Sequence, residues 1–131
     1  PRSEQETTIA LCRRLSERWP WLSLDDFREL LAPDCDYRNV PIAGDRHIGP
    51  DDAHAMLSRM QAAWDIRLEV LGITAGGDKV LTERMEYFHH KAGEREDCEL
   101  PVMGAFELKN GKITAWRDYF ELTHAKALMG G

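Results

Sequence analysis

Two acids and an arginine stand where an alternating pattern calls for apolar side chains. In KVLTERMEYFHHK, Val80, Thr82, Arg84, Glu86, Phe88 and His90 share one face of an extended chain, because strand side chains alternate with period 2. In KITAWRDYFEL one face reads Thr114, Trp116, Asp118 and Phe120, which places a carboxylate between a Trp and a Phe. A lone ionised carboxylate is costly to bury, so Asp118 must be paired, hydrogen-bonded or protonated. If Glu86, Arg84 and Asp118 face one cavity, two acids share a low-dielectric site with one fixed cation. Two negative charges about 4 Å apart repel by roughly 4 kcal/mol at an effective dielectric near 20, which pushes one acid toward the protonated state. Arg84, always charged and able to fork between carboxylates, holds the other ionised. One acid and one base then coexist near neutral pH, the division of roles that general acid–base catalysis needs. The same three residues can equally form a satisfied ion-pair network without a catalytic task, and spacing alone does not separate the two. Tyr37 and Asn39 alternate on the short stretch CDYRNV and, by spacing alone, read as turn or sheet-edge polars.

The surrounding elements must bring these residues together. Ile9, Leu11, Cys12, Leu15 and Trp19 recur at helical spacing until Pro20 stops the run. Ser23 reads as an N-cap for a second helix carrying Leu24, Phe27, Leu30 and Leu31 on one face before Pro33. PIAGDRHIGP has the composition of a loop. Pro50, Asp51 and Asp52 then suit a helix start, and Ala55, Met56, Met60 and Ala63 supply the apolar face of a third helix ending near Trp64. From Asp65 the period changes to 2, with Ile66, Leu68 and Val70 opposite Asp65, Arg67 and Glu69. Turns at Gly76 to Asp78 and at Ala92 and Gly93 bound the strand that carries Arg84 and Glu86. CELPVMGAFELK puts Leu100, Val102, Gly104, Phe106 and Leu108 on one face, and Asn110-Gly111 marks a hairpin. A short terminal helix is expected over residues 123–129.

Three helices followed by a meander of strands is an α+β order, with helices on one face of an antiparallel-rich sheet. Strong curvature would make such a sheet a cone with a deep pocket. The hairpin decides what enters it. A strict two-residue Asn110-Gly111 loop sets Asp118 beside Met103, whereas a three-residue loop with a Gly bulge sets it on the face of Leu100, Val102 and Phe106. The second register leaves the inside apolar except for the carboxylates and Arg84, and is the one expected.

The 131 residues, 43% hydrophobic, fit one domain spanning 1–131. With 17 basic and 23 acidic residues the net charge is −6, which disfavours nucleic acid, whose attraction depends on clustered basic side chains. No stretch approaches the ~20 apolar residues of a membrane helix, so a soluble, cytoplasmic protein is expected, although Pro1 leaves the native start open. Cys12, Cys35 and Cys98 are widely spaced and read as free thiols. His47, His54 and His124 lack metal-ligand spacing, and His89 and His90 point to opposite faces, so no metal is expected. No GxSxG elbow, P-loop or dinucleotide fingerprint calls for a cofactor or a nucleophilic serine. Glu94, Glu96, Asp97 and Glu99 with Arg95 read as solvated hairpin surface. Leu81, Met85, Tyr87, Met103 and Ala105, on the opposite sheet face, are candidates for a subunit contact and suggest a homodimer.

LTERMEYF (81–88), LPVMGAFELKNGKITAWRDYF (100–120) and DYRNVP (36–41) resemble segments of the limonene-1,2-epoxide hydrolase family. That family lies within the cone-shaped NTF2-like group, which includes ketosteroid isomerases and SnoaL-like polyketide cyclases. The resemblance runs from about Thr7 to Leu128 and implies three N-terminal helices packed on a strongly curved mixed sheet around a deep pocket. It also implies one-step addition of water to an epoxide, without a covalent enzyme intermediate and without a cofactor. By position, Asp118 falls on the family's general base, Tyr37 and Asn39 on the residues that hold the attacking water, and Arg84 on the arginine bridging the acids. Glu86 falls where the family normally has an Asp as the general acid. This departure keeps the carboxyl but lengthens it by one methylene, as in related polyether-forming epoxide hydrolases with Asp/Glu pairs. The implied partners are a small lipophilic epoxide, water and a second copy of the chain. Ile66, Leu68, Phe88, Leu100, Val102, Trp116 and Phe120 are expected to form the apolar wall around the substrate, or else plain core. Two other readings stay open: a cyclase-like or isomerase-like enzyme moving a proton next to a carbonyl, and a non-catalytic small-molecule binding protein.

Overall fold

The computed structural model describes residues 3–129. Ser3 accepts from the Glu6 N–H at 3.1 Å and opens α1, Glu4–Arg18. Ser23 and Asp26 cap each other reciprocally, at 3.1 and 2.9 Å, and open α2, Leu24–Leu30. Between them Pro20 leaves a single 3₁₀ turn, Trp19–Trp21. The third helix, α3, runs Gly49–Ala63 with Pro50 in its first turn, where the missing N–H costs little. Gly49 has φ +86°, and a Cβ there would meet the Pro33 carbonyl oxygen at 2.7 Å, so both backbone conformation and space demand glycine.

Among the described residues six strands form one mixed sheet: β1 Leu31–Asn39, β2 His47–Ile48, β3 Trp64–Gly76, β4 Lys79–His90, β5 Cys98–Lys109 and β6 Lys112–Tyr119. Their order is β2-β1-β6-β5-β4-β3. Strands β3 to β6 are the meander that the alternation predicts. The expected short stretch around residues 35–40 is instead the longer β1, lying parallel to β6 and antiparallel to β2. Irregularities in β1, in β3 and between β5 and β6 bend the sheet. The helices cover its concave face, α1 against β3 and α3 against β1. Phe27, Leu30, Leu31, Phe106 and Ile113 are buried between them. The terminal segment Leu122–Met129 is 3₁₀ rather than α-helical.

The hairpin register is reached by a different route from the expected one. Asn110 and Gly111 both have positive φ, 52° and 78°, and Lys109 pairs with Lys112, so the loop has the strict two-residue geometry. The extra residue lies farther along, at Thr114 in β6: Leu108 pairs with Ile113, but Glu107 pairs with Ala115. The Thr114 hydroxyl donates to the Glu107 carbonyl at 3.2 Å and ties the bulge down. From there Gly104 faces Asp118 and Phe106 faces Trp116, the inward placement expected of a three-residue loop. One further consequence is that Ile113 joins the buried side although strict alternation sets it opposite Trp116.

On the convex face, Leu81 and Met103 are exposed, at 46% and 51%. Tyr87 is already engaged, under the Arg67 guanidinium and donating to Glu69, and Ala105 is buried. Cys12, Cys35 and Cys98 are free and buried, and burial pushes the Cys12 and Cys35 thiols up to about 12. No helix among the described residues is long and apolar enough to cross a membrane.

Candidate active site

Arg84 is the hub of the concave face. Its side chain is 1% exposed, and Nη2 stands 2.9 Å from Glu86 Oε2 and 2.9 Å from Asp118 Oδ2. Nη1 donates to Thr82 Oγ1 at 2.9 Å. Residues 82, 84 and 86 meet because they are alternate positions of β4, and Asp118 arrives from β6 across Gly104 of β5. That crossing needs a glycine, since a Cβ at 104 would overlap Arg84 Nη1 and stand 2.6 Å from Thr82 Oγ1 and 3.1 Å from Asp118 Oδ1.

The two acids differ in what surrounds them. Asp118 accepts from Arg84 and from the Trp116 indole N–H, the latter at 3.1 Å, so donors converge on both its oxygens. Burial pushes the Glu86 carboxyl above its ordinary value of 4.5; Arg84 opposes this and the charge of Asp118 adds to it. Burial likewise works against the charge of Arg84, but Asp118 and Glu86 outweigh it and hold the guanidinium protonated. One proton shared between the carboxyls leaves the buried triad neutral, whereas two carboxylates leave it with an uncompensated charge.

Tyr37 and Asn39 come alongside through the parallel β1–β6 ladder, with Tyr37 opposite Trp116 and Asn39 opposite Asp118. Tyr37 stacks on Trp116 with centroids 4.0 Å apart. Asn39 Nδ2 donates to Tyr37 OH at 3.3 Å. Burial, then the Asp118 charge, push the Tyr37 hydroxyl well above 10, so it keeps its proton.

These groups open onto a cavity of about 190 Å³. Its polar lining is Tyr37, Asn39, Glu86 and Asp118; Phe88, Leu100, Val102 and Phe120 contribute apolar wall as expected. Ile66, Leu68 and Trp116, expected in that wall, stand outside it. Ile66 and Leu68 are on the concave face opposite Phe88 and Glu86, but α1 packs over β3 and the cavity begins beyond it. Trp116 is sealed behind Tyr37 and Phe106, where it supports Asp118 rather than a ligand. The rest of the wall comes from Ile42 in the loop between β1 and β2 and from the helical layer: Trp19, Met56, Leu57, Met60, and Ala125, Leu128 and Met129 of the terminal 3₁₀ segment. Amphipathic spacing marks such residues as inward but does not tell cavity from core. Gly104 and Thr82 were also missed; a Gly inside a strand pattern is the signal for the first.

The limonene-1,2-epoxide hydrolase catalytic domain matches residues 20–129. The chain belongs to this family. Epoxide hydrolase EphG of Mycobacterium tuberculosis is 35% identical over 92 residues, 70% of this chain, which spans 58% of that protein's length. The solved structure of an M. tuberculosis epoxide hydrolase resembling limonene-1,2-epoxide hydrolase superposes with a TM-score of 0.76 at 28% identity, covering 98% of this chain and 94% of the other. A SnoaL-like protein from Jannaschia superposes with a TM-score of 0.81 at 17% identity, covering 100% and 98% of the two chains, which shows the shared fold. The α+β cone of the NTF2-like group is thus the architecture of this member.

Proposed function

We propose that the protein hydrolyses a small, uncharged lipophilic epoxide to a vicinal diol in one step. The observation that carries this reading is the single guanidinium nitrogen, Arg84 Nη2, shared at 2.9 Å by two carboxyls that both line a mostly apolar cavity beside Tyr37 and Asn39. Asp118 takes a proton from a water held between Asp118, Tyr37 and Asn39. The water oxygen bonds to an oxirane carbon as that carbon's bond to the ring oxygen breaks, and the ring oxygen takes its proton from Glu86. Asp118 is left protonated and Glu86 ionised, and the site resets when a proton returns from one to the other through solvent or product. Free hydroxide and a bare alkoxide are both avoided. Excluding bulk water from the apolar cavity strengthens each of these interactions.

Glu86 in place of the family's Asp supports a general acid with the same chemistry and longer reach. The test is turnover of cyclic and terpene epoxides in ¹⁸O-water by wild type and Asp118→Asn. Diol carrying solvent oxygen is expected, with kcat lowered about 10²- to 10⁴-fold in the variant, the usual worth of a general base. A folded protein that leaves every epoxide intact, or turns over carbonyl substrates instead, overturns the proposal.

A further inference from the structure

Asn39 reaches the cavity from the end of β1, and its side-chain amide can present either of two opposite faces to a water. A carbonyl oxygen there accepts a water proton; an NH₂ there donates to the water oxygen. The two cases differ chemically. A water that gives one proton to Asp118 and one to Asn39 Oδ1, while accepting from the Tyr37 hydroxyl, keeps one lone pair free for the oxirane carbon. A water that accepts from both Asn39 and Tyr37 has its lone pairs occupied and is a poor nucleophile. What holds the amide in the first state is therefore part of the chemistry.

The structure supplies a group for that task outside the residues named so far. Asp45, in the loop between β1 and β2, has a side chain 14% exposed. Its Oδ2 accepts from the Asn39 backbone N–H at 2.8 Å and from Asn39 Nδ2 at 3.2 Å. The other amide proton goes to Tyr37 OH at 3.3 Å. An NH₂ group has two protons and a carboxylate only accepts, so both protons are committed and Oδ1 is the polar atom the amide has left to offer. Turning the amide over would set two acceptor oxygens about 3.2 Å apart at Asp45 and reverse the bond to Tyr37, whose hydroxyl would then give its proton to Asn39 instead of to the water. Accepting from Asn39 also leaves Tyr37 its own proton to give.

Asp45 is itself held. Its Oδ1 stands 3.1 Å from His47 Nε2, and His47 Nδ1 stands 3.4 Å from Asp52 Oδ1. Asp52 Oδ2 in turn accepts from the Ile48 N–H at the start of α3. His47 packs beside the Tyr37 ring, centroids 5.7 Å apart. The loop is thus tied to the helix that carries Met56 and Met60 into the cavity wall.

We propose that Asp45 is a positioning residue that fixes the Asn39 amide with its oxygen toward the attacking water. This rests on the hydrolytic reading of the site, and the experiment separates the two. The chain has four side-chain amides, Gln5, Asn39, Gln61 and Asn110, so the Asn39 NH₂ is readily assigned in a ¹⁵N–¹H spectrum. In wild type both Asn39 amide protons are expected to be shifted apart and protected from exchange, and in Asp45→Ala one loses that protection. Because a misplacement of about 1 Å can cost on the order of 10²-fold, kcat on an epoxide should fall roughly 10- to 100-fold in Asp45→Ala with KM little changed. Asp45→Asn, whose amide oxygen can take the place of Oδ2, should recover most of the rate. In an Asn39→Ala background, Asp45→Ala should add no more than about 2-fold, because the residue it acts through is gone.

Unprotected Asn39 amide protons in wild type overturn the inference without any variant. So does an Asp45→Ala protein with wild-type kcat, or an equal loss in the Asn39→Ala background, which marks a merely structural role. A wild type with a protected Asn39 amide and no epoxide turnover instead sinks the hydrolytic reading and leaves the amide assignment standing.

Discussion

Arg117 and Asp118 are consecutive residues of β6, and each joins an arginine–carboxylate pair on an opposite side of the sheet. Inside, Arg84, Glu86 and Asp118 have side chains 1%, 9% and 7% exposed. Outside, Arg117 binds Glu107 with side chains 23% and 34% exposed. Both glutamates accept a hydrogen bond from an arginine, yet they shift in opposite directions. The Arg117 hydrogen bond holds Glu107 below its ordinary value, while burial carries Glu86 above it despite Arg84. For these two glutamates, access to water rather than possession of a partner sets the direction of the shift.

The strongest way to break this contrast is to remove each arginine. Arg84→Leu leaves buried carboxyls unpaired and should cost about 3–5 kcal/mol in urea unfolding or prevent folding. Arg117→Leu should cost no more than about 1 kcal/mol, because water replaces the lost partner. Similar losses would show that the two pairs are energetically alike. A gentler probe is Gly104→Ala, which forces the Arg84 fork aside without deleting any polar group; a loss of about 1–3 kcal/mol and a lowered kcat are expected from overpacking. A folded Gly104→Ala protein of wild-type stability and kcat would show that the crossing has slack.

The smallest effect is the slope of stability with pH. With its folded value raised, Glu86 holds its proton longer in the native state than in the unfolded chain. Stability linked to it is therefore greatest below the ordinary 4.5 and falls as pH rises through the raised value, and Glu86→Gln should flatten that fall. Glu107, with its folded value lowered, contributes stability above its ordinary value of 4.5 that is lost as pH falls through the lowered one. Glu107→Gln should remove that smaller, salt-screened slope. Denaturant midpoints across pH check both signs, and slopes of one sign would contradict the assignment of the two environments.

Much of this arrangement is legible in the amino-acid sequence. Alternation set Arg84 beside Glu86 and placed Asp118 among aromatics, and Ser23, Pro50 and Asn110-Gly111 marked element ends that the structure bears out. What escaped were effects with no local signature. A bulge at Thr114 costs a threonine no special backbone, so nothing in the residue types set it apart from a glycine bulge in the loop. The withdrawal of Ile66 and Leu68 from the cavity depends on where α1 comes to rest.

By itself, then, the sequence determined which side chains are costly to bury alone and hence must find partners, because periodicity and side-chain chemistry are local properties. The segments DYRNVP and WRDYF, through family resemblance, also pointed to where Tyr37, Asn39 and Asp118 belong. Only the tertiary structure decided that β1 lies parallel to β6, which sets Asn39 opposite Asp118, and that Gly104 leaves room for Arg84 to reach both acids. Those are pairings between segments distant in the chain, chosen by the packing of whole elements, and no local pattern encodes them.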